Sequence, residues 1–340
     1  MSATSQPATF SDLYTSLLNM MRSDTSATAT ISQAKRYLNT ALQDVHLGQE
    51  YRFPWAERRA VIQTQNDYTT GTIAVTQGSA TVTGSSTTWN TANAFGINNA
   101  RTNGKMVFSG SRSPYVVKSV ESDTSLTLTE KFSETTLAAG SSYTYFEDEY
   151  DLVVDFLRLV DMQRFSDEWE IPIISRTEFR RRFPANTIPG KPTVACLLDY
   201  APVGTTAPVR RVRFASPPND FLRIPYSYIT SNLAVNENGV AGPAMIGDKD
   251  EPIIPLRYRH ALVFHAAYHY YRDKKDDSRS QEMKGEYVDL MSRVMMDTEV
   301  GAPRPKLEPR ITPYVRSAKT PWGRGAGARY DSGGRFDRGG

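Results

Sequence analysis

Apolar positions near the two ends of the chain recur with helical spacing, whereas those between them alternate or cluster in short runs. At the start, Phe10, Leu13, Leu17 and Met20 or Met21 share one helix face, with Ser11 placed to cap the first exposed amides. A polar, small-residue break over residues 23 to 29 leads into Thr30-Ile31-Ser32-Gln33. This is a capping-box pattern, in which the side chains of Thr30 and Gln33 satisfy each other's backbone amides. It opens a second helix with Ile31, Ala34, Leu38, Ala41, Leu42 and Val45 as its core face and Gly48 as its stop. At the other end, Pro255 to Thr298 reads as a helical hairpin. Leu256, His260, Val263, Ala267 and Tyr270 stripe its first arm, and Met283, Tyr287, Leu290 and Val294 its second, across a polar connection from Asp273 to Ser278. Unpartnered stripes cost free energy in water, so the pattern brings both ends of the chain into one helical core, with β material looped out between them.

After Phe53-Pro54-Trp55 the residue types change. Ala60 to Thr64 reads as a strand, and from Tyr68 onward Thr, Val, Ser and Gly replace Leu, Arg and Glu. The runs Thr70–Thr76, Ala80–Thr83, Gly104–Phe108, Tyr115–Val120 and Ser125–Thr129 are rich in β-branched residues and divided by turn signals such as Gln77-Gly78-Ser79. They predict a small all-β unit whose edges are marked by Asn66-Asp67 and the acidic Glu147-Asp148-Glu149. Leu152 to Val160 fits helix or strand, with its β-branched content favouring strand. Glu178 to Phe183 gives one or two helical turns ended by Pro184. Val194–Tyr200, Val209–Phe214 and Leu222–Tyr228 read as antiparallel strands, and Gly239 to Pro255 as a long ordered loop with no element of its own.

The predicted class is therefore α+β. A helical core of four main helices from both termini carries an inserted small all-β domain, a further antiparallel β region and an extended C-terminal arm. The predicted divisions are 1–66 for the first part of the core, 67–147 for the insert, 148–254 for the β-rich part, 255–299 for the helical hairpin and 300–340 for the arm.

Charge separates the arm from the rest. The chain of 340 residues has a formal net charge of +3. Residues 300–340 hold 9 Lys or Arg against 3 acids, or +6, which leaves −3 for residues 1–299. With 8 Gly and 5 Pro and its large apolar residues isolated, the arm buries too little surface to fold alone. Its spaced aromatics suit anchoring into pockets of a partner. No apolar run nears the 18 residues of a membrane span, and the first residues lack a signal pattern, so export and membrane insertion are not expected. The single Cys196 excludes an intramolecular disulfide and a multi-cysteine zinc site, and reads as a small buried hydrophobe.

Catalytic chemistry finds little support. His265 and His269 have the i, i+4 spacing of a helical metal pair, with His260 nearby, but Ala266 stands where a zinc protease motif has Glu. They read as half-buried members of the helix, with no metal and no cofactor expected. Asp248, Asp250 and Glu251 lack the spacing of a calcium loop and read as a solvated loop. No phosphate-binding loop, nucleophile elbow or catalytic cysteine signature is present in the sequence. Two basic features remain: the cluster Arg176 to Arg182, suited to ion pairs with a neighbouring subunit, and the Arg/Gly-rich end from Arg324 to Arg338.

The helices ending near Tyr51-Arg-Phe-Pro-Trp-Ala-Glu-Arg-Arg59, followed by the Thr/Ser/Gly segment from Tyr68 to Trp89, resemble virion proteins of tailed bacteriophages. That segment is similar to a β module of several phage neck and tail proteins. Taken with the closing helices and the arm, nearly the whole chain resembles head-to-tail connector proteins of the podovirus tail accessory factor type. The resemblance implies a non-enzymatic adaptor of the virion neck, made in the host cytoplasm. It would form a homo-oligomeric ring, of about 12 copies, under the portal protein and above a tail or nozzle protein. On that reading Arg310, Tyr314, Arg316, Trp322, Arg324, Tyr330 and Phe336 anchor the arm on the portal, and Arg180, Arg181 and Arg182 meet a neighbouring subunit. The basic arm leaves non-specific contact with packaged DNA open. Other readings are a stopper, tail-tube or decorating β-domain protein, a carbohydrate-binding or lytic virion protein using Trp89 or Tyr115, and a nucleic-acid-binding protein.

Overall fold

The computed structural model describes residues 7–47, 53–111, 113–164, 169–184, 186–199, 201–203 and 206–299. Gly48, Tyr51, Tyr200 and every arm residue from 300 to 340 lie outside the described residues. In chain order the elements are α1 (Phe10–Met21), α2 (Thr28–Leu47), β1 (Glu57–Gln63), β2 (Thr72–Val75), β3 (Thr81–Ser85), β4 (Lys105–Phe108), β5 (Tyr115–Ser122), β6 (Ser125–Leu128), β7 (Leu137–Ser141), β8 (Tyr143–Phe146), β9 (Glu149–Asp151), β10 (Phe156–Arg164) and β11 (Trp169–Glu170). They continue as α3 (Arg176–Arg182), β12 (Val194–Leu197), β13 (Ala201–Val203), β14 (Thr206–Val209), β15 (Arg211–Ala215), β16 (Arg223–Thr230), β17 (Ala234–Val235), β18 (Ala241–Gly242), β19 (Glu251–Pro252), α4 (His260–Asp273) and α5 (Asp277–Glu299). Two compact units divide the chain, Met1–Val288 and Asp289–Gly340, with the boundary inside α5. All the sheets and the other helices belong to the first unit.

This corrects the predicted class. The described chain is mostly β, so the fold is not a helical core with β material looped out. Nineteen strands accompany five α-helices among the described residues. The α+β expectation overweighted the helices because their stripes run for three to six turns, whereas most strands are two to five residues long. Several strands, such as β7 with Leu-Ala-Ala-Gly-Ser and β18 with Ala-Gly, carry no alternation to read.

Residues 72–146 form a seven-stranded antiparallel sheet in the order β7-β2-β3-β6-β5-β4-β8, curled into a half-barrel. Its two chain ends are closed by a pair of backbone hydrogen bonds between Tyr68 and Tyr145, each 2.9 Å. The core is aromatic: Trp89, Phe108, Phe132 and Tyr145 are almost fully buried around Val82 and Leu126. Trp89 Nε1 donates to Tyr143 Oη at 2.9 Å, and Tyr143 donates on to the Thr70 carbonyl at 2.8 Å, so the indole is buried without an orphaned donor. Gly71, at φ +83°, sits where a Cβ would be 2.5 Å from the Ser85 carbonyl, so it permits close approach of β2 to the end of β3 as well as making a turn.

A four-stranded sheet, β1-β16-β10-β11, and a three-stranded sheet, β12-β15-β9, enclose a second core of Ile62, Tyr150, Phe156, Met162, Phe214, Ile224 and Tyr226. The ambiguous run after Leu152 is resolved as strand from Phe156 onward, pairing with β16 through two register shifts. The segment read as a featureless loop, 239–255, contributes β18 and β19, which flank β17.

Helices α1, α2 and α4 pack on one another. The capping box lies at Thr9 and Asp12 of α1, while α2 begins at Thr28, before the Thr30–Gln33 pattern. The first amides of α1 are also met from a distance, Phe10 N–H by the Asp250 carbonyl (2.8 Å) and Ser11 N–H by that of Asp248 (2.9 Å). Asp250 is buried, accepting from the Ile246 and Gly247 amides (2.6 and 2.9 Å), and Asp248 pairs with Lys35 at 2.6 Å. The acidic loop thus ties down the N-terminal helices through its backbone carbonyls, buried Asp250 and Lys35, while the side chains of Asp248 and Glu251 stay 59% and 52% exposed. No helix among the described residues is long and apolar enough to cross a membrane.

The tightest packing of the insert generates a test. A Cβ at Gly104 would stand 2.1 Å from Tyr145 Oη and 2.4 Å from its ring, and Tyr145 is fully buried. Gly104→Ala is expected to destabilise the chain by about 1–3 kcal/mol through overpacking, read as a lowered midpoint in urea unfolding.

Candidate functional site

Helix α3 carries the predicted interface arginines. Ser175 caps it by accepting from the Glu178 amide (3.2 Å), and Phe179 pins it by packing on Cys196 and Ala215 with the Arg213 guanidinium over its ring. With that face buried, Arg180, Arg181 and Arg182 are all exposed. Arg182 pairs within the helix to Glu178 at 2.7 Å. Arg180 and Arg181 have no ion-pair partner among the described residues. Beside them lies a hollow of about 320 Å³ lined by Arg182, Phe183, Pro184, Asn186, Thr187, Ile188 and Ser216, with Ile188 80% exposed. A short basic helix next to an exposed isoleucine combines charge steering with an apolar contact, as interface patches do. The predicted portal-arm residues Arg310, Tyr314, Arg316, Trp322, Arg324, Tyr330 and Phe336 lie outside the described residues.

The seam between the seven-stranded unit and its neighbours holds a charge network with no local signature in the chain. Glu147-Asp148-Glu149 marks the predicted edge of the insert, and Asp148 there is 1% exposed. It accepts from Lys105 Nζ of β4 (2.6 Å), Arg213 Nε of β15 (2.7 Å) and Asn186 Nδ2 (2.8 Å). Glu147, also buried, receives the Arg101 guanidinium in a two-point contact and the Tyr145 hydroxyl at 2.6 Å. Burial, and then the Glu147 charge, push the Tyr145 phenol well above its usual range, so it stays neutral, donating to Glu147 and accepting from the Arg101 amide at 2.8 Å. Glu149 sits near Lys105, Arg211 and Arg213 at 3.4–3.9 Å. A cleft of about 340 Å³ opens on this network between Gln63, Arg101, Glu147, Asp151 and Arg211.

Of the histidines on α4, His260 is exposed and makes an edge contact with Phe264. His265 and His269 face α2, where Asp44 Oδ2 lies 3.5 Å from His265 Nε2 and 2.9 Å from His269 Nε2. Burial, then the adjacent His269 ring, push His265 down to about 4, and burial lowers His269 as well, so both imidazoles are neutral at pH 7. Cys196 is buried with its thiol pushed up to about 11 by burial, which makes it unreactive. Trp89 and Tyr115 are core residues of the β unit and offer no platform for a sugar ring. That removes the aromatic side chains on which a carbohydrate-binding reading depended.

No protein-family model matches the chain, and no curated protein matches it significantly. Functional argument therefore rests on the residues themselves.

Removing one partner of the seam network isolates its contribution. Asp148→Ala leaves Lys105, 7% exposed at its side chain, without its closest carboxylate. The expected cost is about 3–5 kcal/mol, measured by urea unfolding. A loss well under about 1 kcal/mol would show that the network behaves as a solvated surface pair.

Proposed function

We propose that the chain is a structural protein of the phage virion neck: an adaptor that docks under the portal through residues 300–340 and supplies the platform on which the tail is built. The observation that carries this is the condition of the Tyr68–Trp89 segment, which supplies the phage-like signature. It forms β2, β3 and the buried Trp89 of a unit that has its own aromatic core and is closed at its base by the Tyr68–Tyr145 pair. A module with these properties can be carried in a host chain without rewriting the host's core, as reuse among virion proteins requires. The exposed Arg180 and Arg181 support the same reading, since a closed ring needs a self-complementary or head-to-tail contact on every copy.

In this reading the protein is not an enzyme. Its partners are further copies of itself in a ring of about 12, the portal above and a tail or nozzle protein below, and its place is the head-to-tail junction, where it helps retain packaged DNA. The arm binds by ordering on the portal. In an extended conformation at roughly 3.1 Å per residue it spans on the order of 100 Å, enough to cross more than one subunit. Ordering costs affinity at each site, and ring multiplicity restores it as avidity.

Sedimentation or native mass spectrometry of the chain, alone and mixed with the portal protein of the same genome, tests this. The expected result is a small species alone and a fixed stoichiometry matching the portal ring in the mixture. Deleting residues 301–340 is expected to abolish the complex, and Arg180→Glu with Arg181→Glu to weaken ring closure while leaving the unfolding midpoint unchanged. A mixture that stays separate overturns direct portal docking and favours a stopper or other neck or tail protein. Complexes with DNA that weaken steeply with salt would favour the nucleic-acid reading.

A further inference from the structure

We propose that Asp44, His265 and His269 form a binding site for one divalent transition-metal ion of the zinc class, fastening α2 to α4. The helical pair alone carried no such inference, because two histidines four residues apart are common on buried helix faces. The structure supplies the missing convergence. Asp44 comes from a helix more than 200 positions earlier, and one ligand atom from each of the three residues lies within 4.8 Å of the others. Tetrahedral coordination at about 2.0–2.2 Å places ligand atoms roughly 3.3 Å apart. The existing separations of 2.9 and 3.5 Å from Asp44 Oδ2 bracket that value, so the carboxylate already stands at ligand spacing from both imidazoles.

The hydrogen bonding around the cluster is incomplete. His269 is 7% exposed, and its Nε2 stands 2.9 Å from Asp44 Oδ2 without the alignment of a good hydrogen bond. His265 Nδ1 is likewise buried and unpartnered, and so is the hydroxyl of Tyr287, whose ring stacks on His265 at 4.2 Å from the first half of α5. Buried polar atoms without hydrogen-bond partners are costly, so their grouping around one carboxylate points to a ligand. A cation between the imidazoles and the carboxylate satisfies His269 Nε2 directly. Among the neighbouring charges, Arg272 disfavours a cation at His269, while Asp44 and Asp273 favour one.

Ligand chemistry decides the class of ion. Two imidazole nitrogens and one carboxylate oxygen suit zinc, cobalt or nickel, whereas magnesium and calcium prefer all-oxygen sites. The Asp44 side chain is 49% exposed, which provides an entry path and leaves at least one coordination position for water. The role that follows is a staple: the ion would join the second helix of the chain to the helix that leads, through α5, toward residues 300–340. This inference is independent of the virion reading.

The test uses the full chain without a histidine tag, stripped with chelator and titrated with Zn²⁺ by calorimetry and with Co²⁺ by visible absorption. One ion per chain, a tetrahedral-type Co²⁺ spectrum and a raised melting temperature are expected, with no competition from excess Mg²⁺ or Ca²⁺. Asp44→Asn and His269→Gln should each weaken Zn²⁺ binding by about 10-fold or more, with unchanged far-ultraviolet circular dichroism. Should His269→Gln fail to fold, Asp44→Asn carries the test, because its side chain is half in solvent. Absence of binding overturns the proposal, as does binding that Asp44→Asn and His265→Gln leave unaltered, which would assign the ion to an adventitious surface site.

Discussion

A single carboxylate almost wholly removed from water, Asp148, fixes the relation between the seven-stranded unit and the sheets beside it. Its three partners come from separate parts of the chain: Lys105 from β4 of the insert, Arg213 from β15, and Asn186 from the connection after α3. Such a cluster is a poor source of net stability, because desolvating several charges offsets most of their attraction. It is a strong source of geometry. Any rotation of the β unit that separates Lys105 from Asp148 leaves a buried charge uncompensated, whereas a purely apolar seam could slide at little cost. Arg101 and Tyr145, both meeting Glu147, extend the same constraint to the base of the half-barrel.

That constraint explains the neighbouring backbone. Tyr145 has to stand upright in the core to reach Glu147, and Gly104 is the residue across which it lies, so no side chain fits at that position. The closing pair Tyr68–Tyr145 then sets where the insert leaves the host, and Tyr150, accepting from the Gln65 amide and donating to the Glu147 carbonyl, ties the departing and returning strands together just outside it. Polar contacts run along the seam from Gln65 to Asn186, although Gln65 Oε1 and Asp67 Oδ1 are buried without a hydrogen-bond partner.

How much of this was legible in the sequence depends on whether a feature is local. The stripes of α1 and α2 were readable because a helix repeats its signal over several turns, and Thr, Val and Gly patterning exposed β2 to β6. Strands β7, β8, β18 and β19 were not, since two to five residues without alternation carry almost no periodicity. The weighting of helix over sheet went wrong for the same reason. Charge was harder to read: Glu147 to Glu149 marks a domain edge and Asp248 to Glu251 looks like a solvated run, and nothing local shows that Asp148 and Asp250 are buried or that the runs pair with Lys105, Arg213, Lys35 and Arg259. His265 and His269 were visible as a pair at helical spacing, but Asp44 is a lone aspartate on another helix, and nothing near it in the sequence points to α4.

The sign and placement of charge bear on how the exposed arginines of α3 can act. Residues 1–299 carry a net charge of −3, so a polyanion approaching that part of the chain meets overall repulsion, and two free arginines on one short helix give only a weak counterion-release term. Against a second copy of the same slightly acidic surface, the same two arginines are attracted, and a planar guanidinium suits the carboxylates it would meet there. Contact with a polyanion is therefore better matched to the +6 of residues 300–340 than to α3. On electrostatics the two arginines of α3 suit a carboxylate-bearing surface, which is the kind of contact the proposed ring would set against them.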